Sequence, residues 1–161
     1  MNSSTKTYQE VSKKMPTHKK EIFIKTMIQY YKQRYNDYKQ FKKDIEETDE
    51  MPTDESKKNK KSSIDLSILH IKLYQHLTFL FNSMIKKDEI NIKNNFKNLS
   101  STQMELMEFY EEICEGDYDL YDTTHNITIK TAENYRLKCI EIKDEYDLCK
   151  YVIEDYNKIK L

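Results

Sequence analysis

Glycine occurs once and proline twice in the 161 residues. That scarcity argues against an all-β fold with many tight turns, where glycine supplies positive φ and proline presets the turn dihedrals. A single glycine also excludes the usual phosphate-cradling loops. Three cysteines, Cys114, Cys139 and Cys149, form no paired framework, so reduced thiols in the cytosol or nucleus are expected. No apolar run approaches the ~20 residues of a membrane span. Met1 to Lys14 is polar and lacks the apolar stretch of a secretory signal. The glycosylation sequons at Asn98 and Asn126 therefore carry no weight. A charge excess of one sign is missing too: the net charge is −1, where a protein that grips duplex phosphate usually carries a strong basic surplus. Neither a membrane nor direct sequence-specific nucleic acid is expected as a partner.

Catalytic signatures are equally scarce. There is no His-Glu-x-x-His, no Cys-x-x-Cys and no Gly-x-Ser-x-Gly. The four histidines, His18, His70, His76 and His125, are scattered, and His70 and His76 lie six apart, off the i, i+4 spacing of a shared ligand face. Carboxylate pairs such as Glu111 with Glu112 read as a solvated helix face. No enzyme activity, cofactor or metal is expected.

What the chain does have is charge, at 34%, beside a hydrophobic share of 37% that is thin for a self-sufficient globule. A thin core suggests a surface completed by another protein. Tyrosine is abundant, at 13 residues. From Thr17, a candidate N-cap after Pro16, to Thr48, the residues Ile24, Ile28, Tyr31, Tyr35, Tyr38 and Ile45 form one apolar stripe at nearly heptad spacing. The stripe reads first as helix-bundle core. A charged, apolar-poor stretch over 46–63 follows, acidic and then basic, and is expected to be a mobile loop. Its Lys57-Lys58-Asn59-Lys60-Lys61 run resembles a nuclear-localisation signal, although a solvated loop explains it as well.

Ile64 to Lys86 carries apolar residues on every face, Phe79 and Phe81 among them, so that helix is either deeply buried or shared with another chain. After a polar loop at Lys87 to Asn98, Ser100-Ser101-Thr102-Gln103 has the form of a capping box, with Leu99 and Met104 at the staple positions. The helix it opens runs through Met107, Tyr110 and Ile113 and stops at Gly116. Past the polar stretch from Asp117 to Thr124 the period shortens. Ile127-Thr128-Ile129 and Tyr135-Arg136-Leu137-Lys138-Cys139 alternate, with Ile140 and Ile142 in the other phase, which predicts two or three strands. From Glu145 onward a helix fits too. The expected fold class is mainly α: a helical bundle domain at 1–124 with a mobile charged loop at 46–63, then a small β domain at 125–161.

Taken in order, these pieces resemble subunit one of the GINS replication complex. The Met15-Pro16 step and Glu21-Ile22-Phe23-Ile24 stand where that family opens its first long helix. Ile64 to Ile85 matches its apolar central helix. Asn98-Leu99-Ser100 with Glu105, Glu108, Phe109, Tyr110 and Ile113 matches the next, and Tyr135 to Asp144 matches the first long strand of its β domain. The chain departs from the family at His70 to His76, where an Asn-basic-Arg-Cys cluster is usual, and at Thr131 to Asn134, where a Pro-Pro step is usual. The resemblance implies a nuclear, non-catalytic scaffold that pairs with other GINS subunits in a hetero-oligomer and helps dock the replicative helicase. The partner-binding residues expected are Ile24, Ile28, Tyr31, Tyr35, Tyr38, Phe79 and Phe81 on the helices, and Tyr135, Leu137 and Ile140 on the β element. Two other readings stand beside it. One is a free-standing helical adapter or coiled-coil protein unrelated to replication, which should keep helix to its end. The other is a nucleic-acid binder using the Lys57 to Lys61 run.

Overall fold

The structure is a computed structural model that describes residues 8–10, 12–48, 53–116, 120–121, 128–129 and 132–161. Helix α1 spans Thr17–Glu46. Its N-cap is Pro16, not the expected Thr17, with extended backbone (φ −61°, ψ 153°) and no side-chain cap. The Pro16 carbonyl accepts from the amides of Lys19 and Lys20 at 3.0 and 3.2 Å. Ile24, Ile28, Tyr31 and Tyr38 are buried along one stripe, as their spacing predicts.

The expected loop at 46–63 is shorter than its charge suggested. Helix α2 spans Asp54–Lys86, so the second half of that stretch forms its first turns. The Thr53 hydroxyl caps it, accepting from the Ser56 amide at 3.0 Å. Asp54 complements the positive helix N-terminus, and lysine is a good helix former, so few apolar residues were needed. Lys60 Nζ donates back to the Thr48 carbonyl at 3.0 Å, tying this turn to the end of α1. At the other end Lys87 adopts the left-handed conformation (φ 55°, ψ 35°). The amides of Lys87 and Asp88 close the helix on the carbonyls of Met84 and Ser83, both at 3.1 Å, as in a Schellman motif.

Helix α3 spans Glu89–Gly116, starting eleven residues before Ser100. Asp88 opens it, its carboxylate accepting from the Asn91 amide at 3.2 Å. The supposed capping box at Ser100 is mid-helix. The reason is the stripe Ile92, Phe96, Leu99, Gln103, Leu106 and Tyr110, all buried, whose 4-3-4-3-4 spacing runs unbroken through the expected loop. Gln103 faces the next helix instead of its own backbone and donates to the Ile142 carbonyl at 3.4 Å. Gly116 is the last described residue of the helix and has no positive φ.

Strands β1 (Leu120–Tyr121) and β2 (Thr128–Ile129) form a two-residue antiparallel ladder, Leu120 opposite Ile129. Helix α4 then spans Ala132–Tyr156. The strands expected over 135–142 are therefore helix, and among the described residues no β domain stands there. Leu148, Cys149, Val152, Ile153 and Tyr156 are buried with Ile142. The 142, 149, 153, 156 row has helical spacing, and that burial outweighs the β propensity of the individual residues. Ile127 and the side chain of Tyr135 lie outside the described residues.

One continuous core contains residues from all four helices, with α2 between α1 and α3. The expected division at 124/125 thus meets a shared core. Tyr8 packs its ring 4.7 Å from Phe23 and 5.5 Å from Tyr151. Its hydroxyl donates to Asp155 at 3.2 Å, and Lys20 reaches the same carboxylate at 2.9 Å. Among the described residues no helix is long and apolar enough to cross a membrane.

Candidate interaction groove and the tyrosine seam behind it

The buried tyrosines assemble a polar seam between the helices. Tyr38 of α1 stacks on His70 of α2, and on Tyr74 at 5.5 Å. Tyr110 of α3 meets the His70 ring edge-on at 6.0 Å. His70 Nδ1 lies 3.0 Å from the Leu66 carbonyl, which can only accept, so Nδ1 carries the proton. In the neutral ring Nε2 then accepts from the Tyr110 hydroxyl at 3.3 Å. The Arg34 guanidinium covers the Tyr38 and Tyr74 rings at 5.1 and 5.6 Å and donates to the Tyr38 hydroxyl at 3.3 Å. These contacts border a cavity of about 440 Å³ lined on the α4 side by Glu145 among others.

Burial pushes the Glu145 carboxyl up to about 7, against the nearby Tyr31 hydroxyl, with Asp144 and Glu141 adding to the rise and Arg34 opposing it. Burial likewise raises the Tyr31 and Tyr74 hydroxyls and the Cys149 thiol. A thiol held in its protonated form is a poor nucleophile. Both ring nitrogens of His70 already serve the packing. The seam can do one thing well: register three helices by hydrogen bonds and stacking. Among the described residues no group of three His, Cys, Asp or Glu is placed to hold a metal.

The outer face of the α3–α4 contact is different. Met104 and Met107 of α3, with Cys139, Ile140 and Tyr146 of α4, line an open apolar groove of about 580 Å³. Met104 is 63% exposed, and Leu137, one turn before Ile140, is 47% exposed. Arg136, Lys143 and Asp147 border the groove along α4, while Ser100 and Gln103 are the polar residues on the α3 wall. Methionine suits such a wall because its unbranched side chain adapts to varied partners.

The expected partner-binding residues divide by burial. Ile24, Ile28, Tyr31, Tyr38 and Phe81 are enclosed in the chain's own core. Tyr35 is half-buried beneath Lys39 Nζ, 5.2 Å from its ring. Phe79 is 49% exposed on α2, away from the groove. Leu137 is exposed, and Ile140 lines the groove. Sequence reasoning gave Met104 only a staple position and Met107 only a place in the helix, and it missed Lys143 and Tyr146 because a strand over Tyr135 to Asp144 hides the helical face they share with Ile140. A helical period drawn through Arg136, Ile140, Lys143 and Asp147 would have found the α4 rim. No protein-family model matches the chain, and the searches of curated proteins and of solved structures likewise gave no match.

Proposed function

We propose that this chain is a non-catalytic helical interaction protein that docks a partner in the groove between α3 and α4. The observation that carries the reading is the open apolar surface around Met104 and Ile140. The other apolar stripes of the bundle are largely spent on its own core, and an exposed, contiguous apolar patch marks an interaction site more often than chance. The test is capture from the native cell with the full chain as bait. Met104→Glu and Ile140→Glu place a charge in the groove, and Phe79→Glu places one on α2 as a control. A partner retained by wild type and Phe79→Glu but lost from both groove variants supports the reading. Identical partners for all four baits sink it.

The narrower form of this proposal is subunit one of the GINS complex, a nuclear scaffold joined to sister subunits and the replicative helicase. It rests on the order of motifs from Met15 to Ile153, and exposed Lys57, Lys58 and Lys61 fit a nuclear address. It called for strands where α4 runs, and helix to the end was the mark of the plain adapter, so the broader form stands first. Recovery of GINS subunits in the same capture would bring the narrower form forward.

A further inference from the structure

We propose that the groove's partner is an amphipathic helix whose apolar face is edged by two acidic residues seven apart and a basic residue four further on. This rests on the docking reading above and supplies the partner's chemistry. Arg136, Ile140, Lys143 and Asp147 are spaced 4, 3 and 4, so they form one ridge along the groove. Arg136 and Lys143 are both exposed, about 10.5 Å apart along the axis at 1.5 Å per residue. Among the described residues neither makes an ion pair. Asp147 follows about 6 Å beyond Lys143. The facing wall, Ser100, Gln103, Met104 and Met107, carries no charge, and Gln103 is already engaged with the Ile142 carbonyl. Among the described residues the groove therefore presents a single charged edge, read plus, plus, minus.

An apolar groove between two helices suits a third helix, which buries its apolar face and leaves its flanks beside the rim. A partner edge read minus, minus, plus meets all three charges. The pattern is asymmetric, so it also fixes which way the partner helix runs. A shallower hollow between α2 and α3 has the opposite character. Leu69 and Phe109 floor it, and Glu105, Glu108, Glu111 and Glu112 surround it. An acidic helix that fits the α4 groove is repelled there, so the charges discriminate between the two sites as well as between partners.

The experiment measures binding of two labelled helical peptides to the full chain by fluorescence anisotropy. Both carry leucines at i, i+3 and i+7. One has Glu, Glu and Lys on the flank at the stated spacing, and the other has the signs exchanged. The acidic peptide should bind about tenfold more tightly, with the preference shrinking as salt is raised. The Arg136→Glu, Lys143→Glu double variant should reverse the preference, and Met104→Glu should abolish binding of both. Unchanged far-UV helicity confirms that each variant is folded. Equal affinity for the two peptides overturns the charge pattern while leaving the docking reading intact. Binding of neither peptide, with Met104-dependent capture from cells preserved, overturns the acidic-helix occupant alone. A concentration-dependent dimer that Met104→Glu dissolves assigns the groove to a second copy of the chain and likewise overturns the proposal. If the captures are also insensitive to Met104 and Ile140, the docking reading falls too.

Discussion

Tyr38 and His70 lie face to face, ring centroids 4.5 Å apart and planes within 5° of parallel. The pair joins α1 to α2, and the far nitrogen of the same imidazole reaches Tyr110 on α3. One side chain thus registers three helices. A histidine can do this where leucine cannot, because its flat ring stacks and its edge hydrogen-bonds in two directions.

His70→Ala should therefore cost about 2–4 kcal/mol, combining a lost stacked pair with the lost hydrogen bond to Tyr110. Tyr110→Phe, which removes the hydroxyl and keeps the ring, should cost about 1 kcal/mol. Urea unfolding midpoints check both. Equal losses would mean that the hydrogen bond, not the ring stack, carries the registration.

Glu145 gives the fold a pH dependence of unusual sign. Its carboxyl rises from an ordinary 4.5 to about 7 in the folded chain, chiefly through burial. Between those values the folded chain holds a proton that the unfolded chain has released. The stability from this group is therefore fully present below about pH 4.5, falls as the pH rises to about 7, and is flat above that. Glu145→Gln should remove the decline and stabilise the protein at pH 8 by about 1–3 kcal/mol, less than the full shift implies because water screens part of it. Paired urea titrations at pH 5 and pH 8 measure this. A variant that shows no gain at pH 8 relative to pH 5 would place the carboxyl in a wetter site.

How much of this was legible in the sequence depended on period. The α1 stripe from Ile24 to Tyr38 was readable because it repeats over four turns without interruption. Mainly helical architecture followed from the same kind of pattern. The start of α3 was misread because Asn94, Asn95, Lys97 and Asn98 suggest a polar loop, while the two residues that keep the helix buried, Ile92 and Phe96, are spaced apart among them. The α4 strands were misread because Leu137, Cys139 and Ile140, Ile142 alternate locally. Only the longer row ending at Ile153 and Tyr156 decides for helix. The groove was illegible for a further reason: Met104 is exposed beside the buried Gln103, and only the packing of α4 shows that this boundary is one wall of a groove.

Helix starts offer a sharp contrast between two candidate caps. Thr53 accepts a hydrogen bond from the Ser56 amide, so Thr53→Ala should cost about 0.5–2 kcal/mol. Ser100 lies within α3, so Ser100→Ala should be neutral or slightly stabilising, since alanine is the better interior helix residue. Thermal melts of the two variants decide. A loss at Ser100 as large as that at Thr53 would mean that α3 begins at Ser100 after all.

The last prediction concerns the unity of the bundle. Helix α4 contributes Ile142, Leu148, Cys149, Val152, Ile153 and Tyr156 to the same core as Ile24, Leu77 and Leu106. At roughly 1.5–3 kcal/mol for each buried large apolar side chain, their loss is on the order of 10 kcal/mol, an upper estimate that is still comparable with the whole stability of a domain this size. Two polar ties would go as well: the Asp155 carboxylate that holds Tyr8 and Lys20, and the Asn157 amide that donates to the Met84 carbonyl at 2.9 Å. A chain truncated after Thr124 should therefore lose its cooperative melt, bind a hydrophobic dye and aggregate. Leu148→Ala in the full chain should be milder, costing about 2–5 kcal/mol. If the truncated chain instead melts sharply with the helicity expected of α1 to α3, then α4 is a separate unit resting on a self-sufficient bundle, and the groove it borders is a contact between two independently folding parts.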